Sequence, residues 1–142
     1  MAYVVDANVA AKWLLPAAGE GLLDQANRLL AFHVKRQLQL LAPDLIQPEI
    51  GNVLWKAVQR KRIHHADAVK SLRHFTALEI QIVPTSDMLT QALHIAVTCD
   101  RSFYDSLYIA LALTTRTELM TADERLVNAL GSRFPVRWLG VF

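Results

Sequence analysis

Five short, mostly apolar runs divide this chain, at residues 2–5, 38–42, 80–83, 118–121 and 136–139. Helical periodicity fills the intervals, in pairs between the first four runs and singly before the last. Segments of that length are what parallel strands need, because each must be reached by a crossover of a dozen or more residues. The order β-α-α-β-α-α-β-α-α-β-α-β therefore favours an α/β sandwich of three layers, a mostly parallel central sheet flanked by helices. The helices are expected at 9–15, capped by Asn8 and ended by Pro16, and at 22–37 after the Gly19-Glu20-Gly21 break. Others follow at 45–60, 67–78, from Ser86 or Asp87 to 97, at 102–115, and at 123–130 before Gly131. The helix at 102–115 is apolar almost all round, with Phe103, Leu107, Ile109, Ala110, Leu111, Ala112 and Leu113, so it belongs in the interior. At 142 residues, one domain spanning 1–142 is expected.

In open parallel sheets, sites form outside the carboxyl ends of the strands. Asp6 directly follows the first run and Asp123 follows the fourth, so the two are expected to lie close together. Asp105 sits in the first turn of the apolar helix, above Tyr108, Ile109 and Ala112. Glu49, in Ile46-Gln47-Pro48-Glu49-Ile50, is also near a helix start. Helix starts and caps favour a carboxylate, which by itself accounts for any one of these acids. Four together, each at the strand or helix end that faces the same edge, ask for more. No lysine or arginine is expected to pair with them. Carboxylates gathered in apolar surroundings shift their proton affinity or hold a cation. An all-oxygen set suits Mg²⁺ or Mn²⁺, which can lower the pKa of a bound water and bridge a phosphate. Asn8 and Thr121 are placed to orient these carboxylates or their waters, although local capping explains them equally well.

With these residues the chain resembles the PIN-domain ribonucleases, and among them the VapC-type toxins of bacterial toxin–antitoxin pairs. The matching segments are Tyr3-Val4-Val5-Asp6-Ala7-Asn8, Pro48-Glu49-Ile50-Gly51-Asn52-Val53-Leu54, Tyr104-Asp105-Ser106-Leu107-Tyr108-Ile109-Ala110-Leu111-Ala112 and Leu119-Met120-Thr121-Ala122-Asp123-Glu124-Arg125-Leu126. Their order and spacing carry the likeness across essentially the whole chain. The resemblance implies a PIN-like fold in which Asp6, Glu49, Asp105 and Asp123 form a metal-binding catalytic quartet. It further implies a Mg²⁺- or Mn²⁺-dependent endoribonuclease acting on RNA, a homodimer, and a cognate antitoxin protein inserted into the active-site groove.

Two other readings stand beside it. One is a non-catalytic α/β regulatory or partner-binding domain whose acids only cap helices. The other is a phosphoryl-transfer enzyme with Asp6 as nucleophile, which would need a lysine near the site. The histidines His33, His64, His65, His74 and His94 show no zinc-ligand spacing with the single cysteine, Cys99. That one cysteine excludes an internal disulfide and points to a reducing, cytoplasmic setting, and Cys99 itself reads as a small buried residue. No apolar run approaches a membrane span, and residues 1–6 lack the basic start of a signal peptide. Trp13, Trp55, Trp138 and the Tyr104/Tyr108 pair read as core or interface aromatics, and His64-His65 as a polar turn.

Net charge is only +2, from 15 Lys+Arg against 13 Asp+Glu. With the four candidate acids set aside, nine remain against the fifteen bases, a balance of +6. Basic residues concentrate at Lys56, Arg60, Lys61, Arg62, Lys70 and Arg73, with Asp67 the one acid among them. Such a run is either a solvated helical face or a rim that tracks RNA phosphates.

Overall fold

The computed structural model describes residues 1–15 and 21–142. Among these, the elements run β1 (Ala2–Val5), α1 (Ala7–Leu14), α2 (Leu23–Val34), β2 (Gln39–Pro43), α3 (Ile46–Gln59) and α4 (His65–Ala77). They continue as β3 (Gln81–Val83), α5 (Leu89–Cys99), α6 (Phe103–Thr115), β4 (Glu118–Thr121), α7 (Glu124–Leu130) and β5 (Val136–Trp138). This is the expected alternation. The helix stop assigned to Pro16 and the Gly19-Glu20 part of the break lie outside the described residues.

The strands form one sheet in the order β3-β2-β1-β4-β5, and all four pairings are parallel. The chain thus builds outward from β1 on one side, then returns to the other side. With right-handed crossovers, that reversal puts α1–α4 on one face and α5–α7 on the other. In agreement, α1 packs on α2 and α3, α3 packs on α4, and α5 packs on α6. The switch point lies between β1 and β4, where Val5 pairs with Met120. Residues leaving these two strands emerge side by side, and they are Asp6 and the segment 121–123.

The core is densest under that point. Val4, Val5, Leu40, Ala42, Leu119 and Met120 are wholly excluded from solvent. From Ser106 to Ala112 every residue of α6 is buried, as its all-round apolar pattern requires. A leucine or isoleucine buried in this way contributes roughly 1.5–3 kcal/mol of hydrophobic stabilisation, which fixes α6 against the sheet.

Some boundaries differ from the sequence reading for local reasons. The cap of α1 is Asp6, not Asn8: Asp6 has extended φ/ψ (−72°, 148°) where β1 ends, and Asn8 lies inside the helix. The helix expected from residue 67 starts at His65, because the His64 amide donates to the Asp67 carboxylate at 3.0 Å. His64-His65 is therefore a helix start rather than a free turn. The helix expected from residue 86 is divided into a 3-10 turn, Ser86–Met88, and α5. Pro43 ends β2 from within the strand, and the Asp44 amide donates to the Val83 carbonyl at 3.0 Å.

Candidate active site

Where β1 and β4 end, a hydrogen-bonded network ties their C-termini together. The Thr121 hydroxyl donates to Asp6 Oδ2 at 2.9 Å and accepts from Asn8 Nδ2 (3.2 Å) and from the Asp123 amide (3.1 Å). Asn8 Oδ1 accepts from the Ala122 amide at 3.1 Å. Each polar group of Thr121 and Asn8 is used, so both residues hold the loop after β4 against the start of α1. Asp123 caps α7, its Oδ1 accepting from the Arg125 and Leu126 amides at 3.0 and 3.3 Å.

The other two acids arrive from opposite helical layers. Glu49 lies in the first turn of α3 and Asp105 in the first turn of α6. Ser102 caps α6 and its Oγ accepts from the Asp105 amide at 3.0 Å, which fixes the turn that carries the carboxylate. Tyr108, one turn further into α6, reaches across to α3 and donates its hydroxyl to Glu49 Oε1 at 2.6 Å.

The charges of the four acids act on one another. Asp6 is pushed up to about 7 by burial above all, and further by the Asp105 and Glu49 charges, with the Thr121 hydroxyl opposing. Glu49 is raised by burial and by Asp105, and held down by the Tyr108 hydroxyl. Asp105 is raised by burial and by Asp123, with Ser102 and Arg101 opposing. Asp105 therefore feels or exerts the charge of each of the other three acids. Tyr108 is itself driven well above the ordinary phenol range by burial and by the Glu49 and Asp6 charges, so it remains a donor.

Among the described residues, no three His, Cys, Asp or Glu side chains close into a ready-made ion cage. The donor set nonetheless suits a hard divalent cation. It is all carboxylate oxygen, and three members hold protons more tightly than usual, chiefly because they are buried and further because the other acids' negative charges act on them. Mg²⁺ is usually held by one or two carboxylates together with waters and substrate phosphates, not by an all-protein cage, so an open cleft fits it.

The sequence reading named these four acids as candidates, and the structure amends it at their surroundings. Arg101, four residues before Asp105, was overlooked as a cation near the quartet; it lowers the Asp105 proton affinity, and its buried Nε has no hydrogen-bond partner. Tyr104 and Tyr108 do not act as a pair: Tyr104 is 60% exposed, whereas Tyr108 is buried against Glu49. Trp13 is structural, donating Nε1 to the Ala26 carbonyl at 2.8 Å, while Trp55 lies open on α3. Cys99 is half-buried at the end of α5. His33 bridges the Leu78 carbonyl and the Leu40 amide on the opposite side of the sheet. The lysine that an aspartyl-transfer site requires is not among the charges that act on Asp6, which are Asp105 and Glu49.

The PIN-domain family model matches residues 3–130. Ribonuclease VapC9 of Mycobacterium tuberculosis is 31% identical over 133 residues, which cover 94% of each chain. Ribonuclease VapC3 of Pyrobaculum aerophilum is 30% identical over 132 residues, covering 90% of this chain and 94% of its own. The crystal structure of PAE2754 from Pyrobaculum aerophilum superposes with a TM-score of 0.72 at 23% identity, covering 99% of this chain and 94% of that one. VapC20 of Mycobacterium tuberculosis, a sarcin-ricin loop cleaving toxin, gives a TM-score of 0.64 at 18% identity over 93% and 95% of the two chains.

Proposed function

The chain belongs to the PIN-domain family, and on that premise we propose that residues 1–142 act as a single PIN domain, an endoribonuclease and the toxin of a toxin–antitoxin pair. The observation that supports this reading is the charge coupling that links Asp6, Glu49, Asp105 and Asp123, carried on four separate elements. The VapC ribonucleases that match over nearly their whole length support the substrate class.

Asp6, Asp105 and Asp123 would hold Mg²⁺ or Mn²⁺, with Glu49 either a further ligand or the group that takes a proton from water. When bound, the ion supplies a water of lowered pKa and neutralises charge on the phosphate. The chain's own groups do the rest. Thr121 and Asn8 fix Asp6 and the Asp123 loop in position, and the Tyr108 hydroxyl, donating to Glu49, favours its ionised form against burial. Arg101 offsets part of the negative charge around Asp105. An ionised Glu49 near the phosphate is suited to accept the proton released as water attacks.

Two exposed apolar surfaces support the remaining assignments. Leu89, Leu93 and Val97 form a stripe along one side of α5, the last of them 77% exposed, which suits a homodimer contact. Between α3 and α4 an apolar groove lined by Leu54, Trp55, Val58, Val69 and Leu72 suits an amphipathic helix of the antitoxin. No described helix is long and apolar enough to cross a membrane.

The test is RNA cleavage with added Mg²⁺. Wild type should cut and Asp6→Asn should not, and excess EDTA should silence the wild type. Undiminished cleavage by Asp6→Asn, or by wild type in EDTA, would overturn the metal mechanism.

A further inference from the structure

The basic run after residue 56 does not form one surface. The structure divides it between a groove and open helix faces. A groove of about 230 Å³ lies between α1 and α3, floored by Ala11, Val53 and Ala57 and rimmed by Lys56, Arg60 and Arg62. Lys61, Lys70 and Arg73 lie outside it. No carboxylate among the described residues forms an ion pair with the three groove cations, and all three are exposed.

Helix geometry connects this groove to the acidic cleft. Val53, Lys56 and Arg60 follow Glu49 by four, seven and eleven residues, so all four share one side of α3. Eleven residues are three turns of helix, so Arg60 sits about 16 Å along the axis from Glu49. The opposite wall is α1, which begins at Asp6 and packs on α3. Both walls thus start at an acid of the site and end among cations. Arg62 is fixed at the far end, where its amide closes onto the Ala57 carbonyl at 2.9 Å.

Cations near a helix C-terminus are favoured by the macrodipole alone, which would account for Lys56 and Arg60 without any ligand. It does not account for three of them lining one groove whose two helices each carry an acid of the site in or before their first turn. We propose that the α1–α3 groove is a second phosphate subsite, in which Lys56, Arg60 and Arg62 grip the backbone of the single-stranded RNA whose scissile phosphate lies at the acidic cleft. The apolar floor leaves room for a sugar or a base face between the gripped phosphates. This inference rests on the ribonuclease reading, and it assigns only how substrate is held.

The test uses the full chain carrying Asp6→Asn, so that RNA binds without being cut, and a labelled single-stranded RNA titrated over a range of salt. Each phosphate contact contributes about 0.7 to the slope of log affinity against log salt for single strands. Neutralising Lys56, Arg60 and Arg62 to Gln should therefore reduce that slope by about 2 and weaken binding at low salt. Neutralising Lys61, Lys70 and Arg73 to Gln removes the same charge off the groove and should leave the slope near its starting value. Equal loss in both triples would mean that only the overall field attracts RNA, and no loss in the groove triple would mean that the groove is not used. Either result overturns the subsite. So does an oligo-glutamate peptide that requires the three cations while RNA does not, which would make the groove a contact for an acidic protein. Thermal melts of each triple check that the fold is retained. In the background with Asp6 intact, cleavage by the wild type tests the ribonuclease reading separately, because a wild type that cuts and a groove triple with an unchanged slope would refute the subsite alone.

Discussion

Replacing Asp6 by Asn should abolish RNA cleavage and yet stabilise the metal-free protein. The carboxyl of Asp6 is pushed from 3.8 to about 7, chiefly by burial and then by the Asp105 and Glu49 charges. A native pKa above the unfolded one means that the folded state binds the proton more tightly, so stability falls as pH rises from about 4 to about 7. Three units at 1.36 kcal/mol each set a ceiling of about 4 kcal/mol on that penalty. Asp6 keeps some solvent contact, so about half of the ceiling, 2 kcal/mol, is the working figure. Asn keeps an acceptor for Thr121 and carries no charge. In EDTA at pH 8 the variant should melt about 6 °C above wild type, since a chain of this size shifts by roughly 3 °C per kcal/mol. The gap should shrink as pH falls through about 7 and close only below about pH 3, where the wild-type carboxyl is protonated in both states. Saturating Mg²⁺ should raise the wild type and leave Asp6→Asn almost unmoved. Circular dichroism melts across this pH range decide the matter. A variant that melts below wild type at pH 8, or a gap independent of pH, would refute the idea that crowded negative charge destabilises the empty cleft.

Two further substitutions probe the supports of the site. Tyr108→Phe removes the hydroxyl that holds Glu49 ionised, so the acidic limb of the pH–rate profile should move to higher pH and activity should fall by about 10–100-fold, as for lost supports of metal ligands. An unmoved limb would separate Tyr108 from Glu49's ionisation. Thr121→Val leaves Asp6, Asn8 Nδ2 and the Asp123 amide without their shared partner, and urea unfolding should register a loss of about 1–3 kcal/mol. A neutral outcome would mean that water replaces the hydroxyl.

The four candidate acids stood out in the sequence because each lies at the end of an apolar strand or the start of a helix. Asp6 and Asp123 stand at strand ends, and Asp105 stands in the first turn of a helix that is otherwise apolar almost all round. The strand–helix alternation was legible for the same reason, since periodicity is local. What stayed hidden depends on which elements meet. Tyr108 looks like any core aromatic until α6 crosses to α3, 59 residues away in sequence. Arg101 looks like a loop cation, and only the packing at the start of α6 brings it to Asp105. Asn8 was preferred over Asp6 as a cap because both residue types cap well, and the choice turned on where β1 stops. The basic run read as one patch because sequence proximity hides which side of α3 each cation occupies.

The placement of β1 between β2 and β4 also governs when the protein becomes active. Asp6 leaves the ribosome well before the Thr121 hydroxyl that fixes it, which lies 115 positions later. Closing so long a loop is entropically slow, and it comes after the helices and the β1–β2 pairing have had time to form. A nascent chain that has folded as far as β3 can already bury much of one helical layer and still lacks half of its carboxylates. A chain truncated before β4 therefore lacks Thr121 and Asp123, so the network that fixes Asp6 cannot close.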